Sequence, residues 1–230
     1  FVYAGLAILM GGGLVLFGIG GDVQGGLFDA FREDSQNTAG DRVFEERLDK
    51  AEDAARRRPA DAKAWAELAR LRYQDASQGG NFDETKGTFT EEGMADLRRA
   101  TEAWDRHLKL AKDNPDPNVA RLMVQAYTAA DDLDSAASTL ELVIEAEKDP
   151  SPQLYTQLAT IAYAAGQNRK AELAGKRALA LADEEDREVI QGQLDSAKQL
   201  GTQRQLQEAQ KNSPQQTPQG ADGLLQQPGS

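Results

Sequence analysis

The sequence has no cysteine, one histidine (His107), two tryptophans and eight prolines in 230 residues. Without cysteine there are no disulfides and no thiol chemistry, but the compartment stays open, because an uncrosslinked chain is possible in any redox environment. A lone histidine has no partners for a zinc site and offers little for catalysis, so His107 reads as a packing or surface residue. The glycines supply no phosphate loop: Gly11 to Gly13 sit inside an apolar run, and the other GG pairs lack a strand before and a lysine after. The two Trp and five Tyr do not cluster into stacking platforms. Basic charge is also short, with 26 Lys and Arg against 38 Asp and Glu for a net charge of -12. An acidic body argues against nucleic acid as a partner, since phosphate neutralisation needs a basic stripe. Asp83, Glu84, Glu91 and Glu92 form an acidic group, yet without the spacing of a calcium loop they read as solvated. No catalytic, cofactor or metal constellation is expected, and the chain reads as a non-enzyme.

Charged residues are missing altogether from Phe1 through Gly21, FVYAGLAILMGGGLVLFGIGG. As a helix this run would span roughly 30 Å, the thickness of a bilayer core, so residues 1–21 are predicted to be a single transmembrane helix. The competing readings are a cleaved signal peptide, whose apolar region is shorter, and a buried core helix, which is rarely apolar on every face. Residues 22–40 form a juxtamembrane linker in which Arg32 is the one basic residue amid Asp22, Asp29, Glu33 and Asp34. The positive-inside rule therefore favours an extracytoplasmic body. Leu27, Phe28 and Phe31 add a short apolar patch suited to the headgroup interface.

A mean hydropathy of -0.61 makes most of the remaining chain water-facing. Between Asp41 and Arg58, Val43, Phe44, Leu48, Ala51, Ala54 and Ala55 recur at three- and four-residue steps, which predicts a helix closed by Pro59. A second helix starts near Asp61 with Ala64, Trp65, Leu68, Ala69 and Leu71. The pattern then repeats at an offset of 35. Ala120, Met123, Val124 and Tyr127 map onto Tyr155, Leu158, Ala159 and Ala162, and Ala136, Leu140 and Val143 map onto Ala171, Gly175 and Ala178. Pro115 and Pro150 share the offset. Two helices per unit at such a period, with proline at the boundary, predict an all-α helical solenoid.

These residues resemble the tetratricopeptide repeat (TPR) family. The segment from Tyr155 to Asp183 is similar to a nearly complete unit: an aromatic opening helix A, a Leu-Ala pair, Gly166 at the inter-helix turn, Ala171 on the packing face of helix B and Ala178 closing it. Tyr127, Ala136 and Val143 take the corresponding places one unit earlier, and Pro59 with Trp65 opens the first unit. The tyrosine usual in the core of helix A is replaced by Arg72 and Ala162 in two units. The resemblance covers about residues 41–183 within a repeat domain of residues 41–200.

The first unit holds an insertion, residues 74–93, whose glycines at 79, 80, 87 and 93 predict a loop with a capped helix start at Thr90; an extended helix A with a disordered tip is the alternative. A helix over about 184–200, with Val189, Ile190, Leu194 and Ala197 on one side, is expected to cap the array. Residues 201–230, rich in Gln and Pro, are predicted to be a disordered tail.

The resemblance implies a membrane-anchored scaffold that holds a protein or peptide partner in a concave groove, in the manner of envelope-assembly or secretion factors. It implies a groove lined by Lys63, Arg70, Tyr73, Asn118, Arg121, Gln125, Thr128, Gln153, Thr160 and Tyr163. In it Lys63, Arg70 and Arg121 would form a basic strip suited to carboxylates. The Lys and Asn pattern of carboxylate-clamp TPR domains is not matched. The alternative is a structural subunit of a membrane complex with no free peptide groove.

Overall fold

A computed structural model of the chain describes residues 38–112 and 114–212. The expected membrane helix of residues 1–21, the linker up to residue 37 and the tail from residue 213 lie outside these residues. Among the described residues no helix is long and apolar enough to cross a membrane.

The described chain is mostly helical, with eight α-helices and one short hairpin. In order these are α1 (Thr38–Arg57), α2 (Ala62–Ala76), a 3-10 turn (Gly79–Asn81), β1 (Phe82–Asp83), β2 (Thr88–Phe89), α3 (Glu91–Ala111), α4 (Pro117–Ala129), α5 (Leu133–Ala146), α6 (Pro152–Ala164), α7 (Asn168–Leu181) and α8 (Glu184–Asn212). Helices α2 and α3, α4 and α5, and α6 and α7 pack as pairs, and each pair touches the next. Helix α1 packs on α2, and α8 packs chiefly on α6.

Local chemistry sets where the helices begin. The side chains of Asp61, Asp116, Asp132 and Ser151 accept hydrogen bonds from backbone N–H groups two or three residues on. Each satisfies donors that the first turn leaves without partners. Pro117 and Pro152 stand at the first helical positions, where no N–H is missed. The 35-residue offset recurs in the backbone itself. Asp131 and Gly166 both adopt positive φ, 62° and 76°. The N–H groups that follow, of Asp132 and Gln167, return to the carbonyls of Tyr127 and Ala162 at 2.9 and 2.8 Å. The two turns thus close in the same way on different residues.

The residues at that offset are the core. Ala120, Met123, Val124, Tyr127, Leu158, Ala159 and Ala162 are buried, as are Ala136, Leu140, Val143, Ala171, Gly175 and Ala178. Tyr155 is half-buried. Small side chains at the pair interfaces let the helices approach closely. Trp104, Leu71, Leu97 and Met123 fill the larger spaces, each worth about 1.5–3 kcal/mol when fully buried.

Two polar devices lie inside this packing. His107 is buried and stacked on Trp104 with ring centroids 4.9 Å apart. Its Nε2 accepts from the Asp116 N–H at 3.0 Å, so the ring proton sits on Nδ1 and is donated to the Ala62 carbonyl at 2.9 Å. The ring therefore ties α3 to the starts of α2 and α4. Arg72, where the family resemblance expects tyrosine, reaches Glu52 on α1, Asp75 on its own helix at 3.4 Å and Asp96 on α3 at 3.0 Å. A guanidinium can join three helices there because it carries five donors in a planar fork.

The insertion of residues 74–93 is a loop with the expected capped helix start at Thr90, and the alternative of an extended helix A with a disordered tip is not found: α2 ends at Ala76, and two short strands pair Phe82 with Phe89 and Asp83 with Thr88, the two rings meeting edge to face at 5.1 Å. The Asn81 carbonyl accepts from the Thr90 N–H at 2.9 Å, and Thr90 caps α3 through the Gly93 N–H. Two other expectations are corrected. The expected tail does not begin at residue 201, because α8 continues to Asn212. Residues 201–212 are dominated by Gln, Glu, Leu, Arg and Lys, which are good helix formers, and Arg204 anchors them through both oxygens of Asp131 at 2.8 Å. Val43 and Val189, assigned to buried faces by their spacing, are exposed, while Leu48, Ala51, Ala55, Ile190, Leu194 and Ala197 carry the packing.

Candidate functional site

The first helix of each pair, α2, α4 and α6, carries the ten residues expected to line a groove. Lys63, Asn118, Arg121, Gln125 and Gln153 are exposed, and Arg70, Thr128 and Thr160 are half-buried. Tyr73 and Tyr163 are buried, at 7% and 6% exposure, which removes them from an open surface.

Tyr73 is enclosed because neighbouring pairs meet there. Its hydroxyl donates to Gln125 Oε1 at 2.6 Å, linking α2 to α4. Burial pushes the hydroxyl up to about 12, with Ser77 opposing the shift. Tyr163 lies beneath α8, where Gly201 comes so close that a Cβ there would stand 2.4 Å from the Tyr163 carbonyl oxygen. Burial raises the Tyr163 hydroxyl as well. Thr128 and Thr160 spend their hydroxyls on their own helices, donating to the carbonyls of Val124 and Thr156 at 2.7 and 2.9 Å.

The basic strip is largely neutralised from within. Arg70 donates twice to Glu67, at 2.9 and 2.5 Å, and Arg121 pairs with Glu147. Among the described residues Lys63 has no carboxylate within 4.0 Å. A carboxylate on a partner must therefore compete with Glu67 and Glu147. Half-exposed pairs of this kind contribute about 0–1 kcal/mol, so the competition is open. What the fold presents is a polar face: Lys63 on α2, Asn118, Arg121 and Gln125 on α4, and Gln153 on α6.

A second concave feature, missed from the sequence, is an open cleft of about 840 Å³ among α5, α6 and α7, lined by Glu141, Tyr155, Leu158, Arg169, Leu173 and Arg177 among others. Its sequence signal was the cluster of cations on α7 with Leu173 between them. Asp83 caps its own turn through the Thr85 and Lys86 N–H groups and pairs with the Lys86 ammonium at 2.7 Å, which holds its carboxyl below the usual range. Among the described residues no group of His, Cys, Asp or Glu could hold a metal ion.

No family model matches the chain, and no curated protein or solved structure matches it either.

Proposed function

We propose that the chain is a membrane-anchored, TPR-like scaffold that holds a protein or peptide partner on the polar face of α2, α4 and α6. The observation that carries this reading is the 35-residue recurrence, present both in the buried residues and in the paired turns at Asp131 and Gly166. Stacked helix pairs of this kind bury their small residues and leave one side chain set per unit at the same place on the surface. Here Asn118 and Gln153 are related by that offset, and Lys63, Arg121 and Gln125 are the other exposed residues of the expected groove. Hydrogen-bonding side chains on a rigid helical platform suit recognition better than turnover. Residues 1–21 supply the anchor, and the body faces outward from a bacterial-type cytoplasmic membrane.

The test is photo-crosslinking in the native membrane from a reactive amino acid at Gln125 and, separately, at Arg106 on the outer side of α3. One partner protein captured from Gln125 and not from Arg106 supports the reading. A structural subunit is the second reading, favoured by α8, which closes over Tyr163 at the C-terminal end of the face. In that case the purified body binds no isolated peptide saturably, and the crosslinks identify fixed neighbours of a stoichiometric complex.

A further inference from the structure

Helix α7 carries Arg169, Lys170, Lys176 and Arg177 against one carboxylate, Glu172, in a chain of net charge -12. Glu141 takes Lys170 at 2.7 Å, and the Arg177 guanidinium lies 5.9 Å from the centroid of Tyr155. Among the described residues Arg169, Lys176 and Arg177 have no carboxylate within 4.0 Å. Leu173 stands between them, 60% exposed, at the mouth of the open cleft that Leu158 and Ala174 also line. An apolar floor under unneutralised cations fits an occupant that offers a carboxylate beside aliphatic side chains.

Outside the described residues a carboxylate stands beside apolar side chains in two places, residues 22–31 before α1 and residues 221–225 after α8, and the second follows the helix that borders the cleft. In residues 213–230 the one ionisable side chain is Asp222, and the large aliphatic ones are Leu224 and Leu225. Helix α8 passes the edge of the cleft before this segment begins. A Cβ at Gly166, a cleft-lining residue, would meet Gln205 Nε2 at 3.6 Å. From Gln205 the helix runs on about 10 Å to Asn212. Ten residues separate Asn212 from Asp222, and a chain of that length without secondary structure spans about 18 Å root-mean-square, enough to return over those 10 Å. A connection of that length between two sites supplies an effective concentration in the mM range, so a contact of mM strength, such as two leucines and one ion pair, is enough to hold the segment there.

We propose that residues 221–225 dock into the α5–α6–α7 cleft of their own chain, with Asp222 against Arg169 or Arg177 and the two leucines over Leu158 and Leu173. The cleft is then a self-occupied site that another acidic, leucine-bearing peptide enters by displacement. This surface is apart from the polar face of α2, α4 and α6 and does not depend on the reading of that face.

The absence of native cysteine makes the test direct. In the full chain, reconstituted in lipid nanodiscs, Gly223→Cys is combined with Asn168→Cys at the cleft or with Arg106→Cys on α3, and disulfide formation under mild oxidation is timed. The intramolecular disulfide is expected to form at least tenfold faster with Asn168→Cys. Adding Leu224→Asp and Leu225→Asp, which leaves the tether length unchanged, is expected to slow it about tenfold. A rate indifferent to the two leucines, or equal at the two positions, overturns the proposal. So does a disulfide between two chains, which assigns the cleft to a second copy, and so does its failure to form, which leaves the cleft to an external peptide.

Discussion

The Tyr73 hydroxyl reaches from α2 to Gln125 Oε1 on α4 at 2.6 Å, so one end of this bond is buried and the other lies on the exposed polar face. A residue of the core thereby sets the position of a residue of the candidate surface. Tyr73→Phe is expected to cost about 0.5–1.5 kcal/mol at pH 7, because Gln125 can be resolvated by water. The hydroxyl is shifted from 10.0 to about 12 in the fold, mainly by burial. A raised folded value means the contribution is complete below pH 10 and is lost as pH rises towards 12. Chemical denaturation between pH 9 and 12 should show stability falling, and Tyr73→Phe should flatten part of that fall.

Arg72 gathers three carboxylates that do not contribute alike. Asp75 has its carboxyl raised by burial first and by the charge of Asp96 second, against the pull of Arg72 and Arg99. The sign follows from linkage: with the folded value above the unfolded one, stability from this group is fully present below the unfolded value and lost as pH rises through the folded one. Its charge is therefore a cost at neutral pH. Asp75→Asn is expected to leave the melting temperature at pH 7 unchanged or higher. Arg72→Met should lower stability by about 1–3 kcal/mol, since it takes the cation from partly exposed Glu52 and leaves the buried Asp96 with Arg99 alone, at 2.8 Å. Thermal melts of the two variants at pH 7 decide the point.

Much of the helical body is legible in the sequence because period 3.6 and the 35-residue offset act on the same residues. Met123 and Leu158 fall on both patterns and are buried. Less legible are the places where one unit meets another. Tyr73 and Tyr163 follow the spacing of an outward face, yet each is covered by a helix that arrives from elsewhere in the chain, α4 over the first and α8 over the second. Val43 and Val189 err in the other direction, since local periodicity cannot tell how wide the neighbouring helix is. The hairpin escaped notice because its two strands are two residues each, and what marks them is the pairing of Phe82 with Phe89.

Gly201 gives a sharper test of how α8 is seated. Gly to Ala inside a helix ordinarily gains about 1 kcal/mol from propensity. Here the added Cβ would stand 2.4 Å from the Tyr163 carbonyl oxygen and 2.8 Å from its carbon, both rigid backbone atoms. Gly201→Ala is therefore expected to destabilise by about 1–3 kcal/mol, the usual cost of overpacking. Gly192→Ala, whose Cβ would meet nothing within 4 Å, should be neutral or stabilising. Urea titration of the pair separates a docked α8 from a free one.

The central claim, that the polar face of α2, α4 and α6 is the binding surface, is tested most directly by crosslinking from Gln125 in the native membrane with and without Lys63→Glu and Arg121→Gln. Both side chains are exposed, so stability should move by less than about 0.5 kcal/mol per site. The account predicts that a partner captured from Gln125 in the parent is lost in the double variant while helicity by circular dichroism stays the same. Undiminished capture in the folded double variant would contradict it.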